Sequence, residues 1–168
     1  AEDDQRRPHP HAAKLDASIL ASERHLPARE VHRGPQGVGV AQGALDKAIK
    51  HVKQRKQFGQ PLAAFQATQF KIAEMATWVE VTRNLCYQAG WMLDHEKVDC
   101  KRISIAKYLA GEVGVKVANE ALQLHGGYGY IADYDIERFY RDAKIVEIYE
   151  GTKEIEKNTI ARELLGRL

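Results

Sequence analysis

The stretch from Gly37 to Gln57, GVGVAQGALDKAIKHVKQRKQ, decides the fold class. Ala41, Ala44, Leu45, Ala48, Ile49 and Val52 recur at intervals of three and four, which puts them on one side of an α-helix. Gly59 and Pro61 follow, and a glycine followed by a proline ends a helix. The same period returns twice downstream. From about Phe65 to Glu96 the apolar side carries Ile72, Met75, Ala76, Val79, Leu85, Cys86, Ala89 and Leu93. From about Lys101 to Leu124 it carries Ala106, Leu109, Ala110, Val113, Val117, Ala121 and Leu124. A short helix is expected around Asp135 to Lys144, and a last one from about Thr152 to Leu165. Lys144 to Tyr149 is the nearest candidate for a strand. The fold class is all-α: an antiparallel four-helix bundle of long helices plus a short extra helix. The second helix, roughly 45 Å long, is too long for a small compact domain acting alone.

Upstream of this stretch the character changes. Residues 1–36 hold four of the chain's five prolines and four of its seven histidines. A boundary near residues 34–37 is expected, separating an atypical, weakly structured Pro/His-rich segment (1–36) from the helical domain (37–168). Within the first segment only residues 12–25 could form a short helix, around Leu15, Ile19 and Leu20.

Composition excludes several functions. With 168 residues, one domain is the default. Lys plus Arg number 25 against 23 Asp plus Glu, a net charge of +2, which lacks the basic excess of a dedicated nucleic-acid binder. No run approaches the ~18–20 apolar residues of a membrane helix, and no basic-then-apolar signal segment opens the sequence. Two cysteines, Cys86 and Cys100, exclude a disulfide framework. The expectation is a cytoplasmic protein with no nucleic-acid and no membrane partner. His9-Pro10-His11 lacks the further ligands a metal needs, so no metal is expected.

Three segments carry candidate chemistry. Arg55-Lys56-Gln57-Phe58-Gly59-Gln60-Pro61 reads either as a basic helix C-terminus or as an anion clamp. In the second reading an arginine fork grips a phosphate, and Phe58 lies against a planar ring. Gln123 to Tyr130, QLHGGYGY, follows a helix, so it is not a Rossmann phosphate loop. Its three glycines suit a plain C-cap or a close backbone approach to a ligand or another chain. Ile148-Tyr149-Glu150-Gly151-Thr152 sets a carboxylate just before a helix that Thr152 would cap. Glu150 is then a loop glutamate or a general base on a tight turn, with Gly151 leaving room for substrate.

Taken in order, these segments resemble the C-terminal domain of the FAD-dependent acyl-CoA dehydrogenases. The likeness runs from about Gly37 to Gly166 and rests on GVGVAQGALDKAIKHVKQRKQFGQPLAAFQATQFKIAEMA, ISIAKYLAGEV, ALQLHGGYGY and YRDAKIVEIYEGTKEI. Such enzymes have an N-terminal helical domain, a middle β-domain and this helical bundle. They oxidise an acyl-CoA thioester to its trans-2-enoyl-CoA. The resemblance implies that Glu150 removes the α-proton while the β-hydrogen leaves as hydride to the flavin. In the family the backbone N–H of this glutamate, with a flavin hydroxyl, polarises the thioester carbonyl.

The resemblance implies further roles. Tyr149 and Gly151 would line the thioester site. Arg55, Gln57, Phe58, Phe65 and Gln66 match FAD-holding positions. Gln123 and Gly127 match positions that reach the FAD of a neighbouring subunit, and Thr152 and Glu154 match contacts after the base. A homo-oligomer, dimer or tetramer, and an electron-transferring flavoprotein as acceptor are implied. So is an incomplete chain, inactive without the other two domains. The alternatives are a subunit of a split flavoenzyme and a non-catalytic oligomerisation or scaffold module.

Overall fold

A computed structural model describes residues 26–166, with side chains from Gly34 onward. The possible helix at 12–25 and the His9/His11 pair lie outside the described residues. Five α-helices are present among them: α1 (Leu26–Gln54), α2 (Gln66–Asp94), α3 (Cys100–His125), α4 (Ile136–Val146) and α5 (Lys153–Leu165). The all-α bundle with a short extra helix is therefore the observed architecture.

Direction along the helices follows from who touches whom. Gly37 of α1 faces Ala110 and Gly114 of α3, and His51 faces His125, so α1 and α3 run parallel. Gly34 meets Cys86 of α2, and Lys71 of α2 pairs with Glu120 of α3, so α2 runs against both. Phe139 of α4 meets Gly43, while Glu147 just beyond α4 meets Gly111, so α4 also descends. The first four helices thus alternate in direction, and the parallel pair α1 and α3 shares a seam.

That seam is made of small residues. Ala41, Ala44 and Ala48 of α1 are buried, as are Ala106, Ala110, Gly111, Gly114, Ala118 and Ala121 of α3. A Cβ at Gly37 would stand 2.4 Å from the Ala110 carbonyl oxygen, so the backbones approach closer than any side chain allows. The helix α3 packs against every other helix, which is why its buried positions extend around its circumference.

Two local expectations need correction. Among the described residues the first helix runs from Leu26, not from near Gly37, and it continues through Pro35. A proline interior to a helix removes one hydrogen bond, at a cost of about 3 kcal/mol. Packing on both sides of it offsets that loss: Gly34 fits against the Cys86 sulfur and Gly37 against α3. At its other end α1 stops at Gln54, and a hairpin follows. Strand β1 (Lys56–Gln57) pairs with β2 (Gln60–Pro61) through the register Lys56 to Pro61 and Gln57 to Gln60. Its two loop residues, Phe58 (φ 52°) and Gly59 (φ 80°), are both left-handed, as a two-residue primed turn requires. The strand candidate at Lys144 to Tyr149 is instead the last turn of α4 and the turns after it.

Candidate functional site

The expected site residues gather at two ends of the bundle. Lys107 and His125, which mark those ends, lie five turns apart on α3, about 27 Å. One chain does not bring the two groups together.

The first group surrounds the C-termini of α1 and α3. Arg55 closes the last turn of α1, its N–H donating to His51 O at 2.8 Å, and its carbonyl accepts from Leu62 N at 2.9 Å. Its guanidinium carbon stands 5.1 Å from the Tyr128 ring centroid, so the basic segment and the glycine-rich segment meet here. Phe58, at the hairpin tip, is 91% exposed, an unusual state for so large an apolar ring. Phe65 approaches it edge-on, with centroids 6.3 Å apart. Gln57, Gln66 and Gln123 are exposed beside them. The two central glycines differ in purpose. A Cβ at Gly129 would meet Leu122 O at 2.7 Å, so that glycine serves packing, whereas nothing lies within 4 Å of one at Gly127.

Beneath this end His51 and His125 stack with ring centroids 4.1 Å apart. The His125 Nδ1 lies 2.7 Å from Ala121 O. Burial holds the His51 pKa below the usual histidine value, and His125 and Arg55 lower it further. Burial and Lys47 likewise lower His125, against the raising effect of the Ala121 carbonyl. Sequence reading placed His125 only within the glycine motif and missed the pair.

The second group is the loop between α4 and α5. Glu150 is exposed at φ 54°, a left-handed conformation that costs a non-glycine residue, and Gly151 follows at φ 104°. Tyr149, half-buried, donates its hydroxyl to Gln36 Oε1 on α1. Thr152 Oγ1 accepts from Ile155 N at 3.4 Å and caps α5, with Glu154 exposed in the first turn. Lys153 N donates back to Glu147 O at 3.1 Å, which closes the loop. Under the loop lies Lys107 of α3, 2% exposed, whose Nζ donates to Val146 O at 2.6 Å. Lys107 was missed as well. It falls on the stripe Ile103, Lys107, Ala110, Gly114, and a lysine in a core register is a signal that could have found it.

A family model described as the acyl-CoA dehydrogenase C-terminal domain matches residues 20–165. The chain belongs to the acyl-CoA dehydrogenase family. The match takes in residues 20–36, which sequence reading had set apart from the likeness. A 3-(aryl)acrylate reductase of Clostridium sporogenes is 46% identical over 90% of this chain and 40% of its own length. A caffeyl-CoA reductase-Etf complex subunit of Acetobacterium woodii is 48% identical over 79% of this chain and 35% of its own. Butyryl-CoA dehydrogenase from Megasphaera elsdenii superposes with a TM-score of 0.82 and 41% identity, over 83% of this chain and 37% of that one. The chain thus spans about two fifths or less of the length of these relatives. No described helix is long and apolar enough to cross a membrane.

Proposed function

We propose that this chain is the C-terminal helical portion of a flavin-dependent acyl-CoA oxidoreductase, with Glu150 as the base that exchanges the α-proton of the thioester. The observation that carries this reading is the Glu150 turn. An exposed carboxylate is held in a disfavoured backbone conformation, between two helices, in a member of this family. Strain of this kind persists where surrounding structure over-determines it, and it clusters at active sites.

In the proposed reaction a Glu150 carboxylate oxygen takes the α-proton as charge moves onto the thioester oxygen. FAD, when bound, supplies the two-electron acceptor for the β-hydrogen, leaving the trans-2-enoyl thioester. A group that takes this proton in oxidation returns it in reduction, so Glu150 serves either direction. Tyr149 and Gly151 border the thioester. Gln36, tied to the Tyr149 hydroxyl, joins that wall.

The hairpin end has the chemistry for part of a flavin dinucleotide. Arg55 offers a fixed cation, Phe58 a bare ring and Gly127 an unobstructed backbone. Gln57, Phe65, Gln66 and Gln123 add polar and apolar contacts around it. Thr152 and Glu154 belong to the same proposed site, yet they lie with Glu150 at the opposite end. The separation of about 27 Å supports a site shared between copies of a homo-oligomer. An electron-transferring flavoprotein is the proposed redox partner, and the cytoplasm the proposed location.

The test is to incubate the purified protein with FAD, separate it by gel filtration and record the visible spectrum. A flavin band travelling with an oligomer is expected. A colourless peak, or flavin on a monomer, overturns the shared site.

A further inference from the structure

The buried ammonium of Lys107 lies beneath the loop that carries Glu150. Its Nζ is 2.6 Å from Val146 O, 3.4 Å from Tyr149 O and 3.4 Å from Gly151 O. These carbonyls bracket Glu150 from both sides. An ammonium carries three N–H donors and no acceptor, so it suits a convergence of carbonyls. The Val146 carbonyl also ends α4, where the helix dipole favours a cation. Burying an ammonium is costly unless it is hydrogen-bonded. A leucine would fill the same core register without that cost.

The loop needs such a fastener. Glu150 at φ 54° would relax toward ordinary backbone if released. The Tyr149 ring lies over the same ammonium, 5.9 Å from Nζ to its centroid, so one cation touches the loop through carbonyls and ring. We propose that Lys107 is a positioning residue for the α-proton exchange: it fastens the loop from below and holds the Glu150 carboxylate at its reacting place. The proposal rests on Glu150 being the base.

Lys107→Met keeps the stem and removes the ammonium. Amides of residues 147–153 are expected to exchange about tenfold faster, while those of the 56–61 hairpin keep their rate. In the complete FAD-loaded enzyme, with the other two domains present, kcat is expected to fall about 10²-fold, the scale of a misplaced reacting group, with KM and flavin content unchanged. Lys107→Arg, which still donates to the carbonyls, is expected to restore part of both. Wild-type kcat and loop exchange in Lys107→Met overturn the proposal, as does faster exchange spread over the whole bundle with normal kcat. If the methionine variant does not fold, Lys107→Gln is read by the same measurements and the same outcomes decide. Glu150→Gln, run beside it, separates the two failures. Retained turnover there removes the base and this proposal together. Lost turnover there with normal Lys107→Met removes the positioning role alone.

Discussion

Phe58 and Glu150 stand at opposite ends of the bundle on the same backbone device. Each is a non-glycine residue in the left-handed region, at φ 52° and 54°, and each is followed by a glycine of positive φ. The difference lies in what holds them. The Phe58 turn is closed by its own two-rung ladder and touches the body through Phe65 and through Arg55 on Tyr128. The Glu150 turn has no ladder. It is fastened from outside, by Lys107 beneath, Gln36 on Tyr149 and the Thr152 cap. A contact surface tolerates some give; a carboxylate that must meet one proton does not.

Replacing the two side chains draws the contrast most sharply. Glu150→Gln keeps the shape and removes the basic oxygen. In the complete enzyme, with the other two domains present, it is expected to lower turnover by about 10²–10⁴-fold, the worth of a positioned general base, and to leave flavin binding intact. Steady-state rates beside the flavin absorbance measure both. Turnover near wild type would end the assignment of Glu150, and lost flavin would erase the distinction between the ends.

The seam that joins the ends predicts a shared response. In Gly37→Val the new side chain would drive against the Ala110 carbonyl, which a Cβ already approaches at 2.4 Å. Overpacking of this kind costs about 1–3 kcal/mol, and amides at both ends should lose protection together. Gly39→Ala, two residues on, meets nothing within 4 Å, and its melting temperature should hold or rise slightly. Equal melting temperatures for the two variants would show that the close approach of α1 to α3 carries no stability.

Acid should separate the ends again. His51 and His125 have folded pKa values below the ordinary 6.5, through burial first, and then through the charges of His125 and Arg55 for His51 and of Lys47 for His125. Unfolded, both rings take protons more readily, so their contribution is present above pH 6.5 and is lost as pH falls through and below it. Lys47 is itself paired with Asp135 at 3.1 Å, which tempers its effect. Amide exchange between pH 7.5 and 5.5, corrected for its intrinsic rate, should loosen residues 51–58 and 125–130 before residues 147–153. Loosening of the Glu150 loop first would contradict this order.

The same contrast explains what the sequence could disclose. Helices read well because their buried faces repeat at three and four: Ala41 to Val52 and Ala106 to Leu124 need no partner to be recognised. The Glu150 loop was legible through Thr152, a local cap. The hairpin was not, since strands of two residues carry no period. Pro35 reads as a break, because its local cost is visible and the tertiary contacts of Gly34 and Gly37 that offset it are not. His51 and His125 lie far apart in sequence, and only the parallel course of α1 and α3 stacks them.

Phe58→Gly should have the smallest effect on stability, and it tests why a phenylalanine holds that position. The substitution relieves left-handed strain of about 1–2 kcal/mol. It also adds about 0.5–1 kcal/mol of unfolded-state freedom and removes an exposed edge contact with Phe65. The sum is near zero or slightly favourable, so thermal unfolding should barely move. Flavin affinity should nevertheless fall, because a ring 91% open to solvent contributes little to the chain that carries it. A clear loss of melting temperature with flavin binding unchanged would make Phe58 a structural residue and leave the Glu150 turn as the only one of the two strained for function. The opposite result would give both turns the same logic: backbone strain retained because the side chain is needed by something other than this chain's own core.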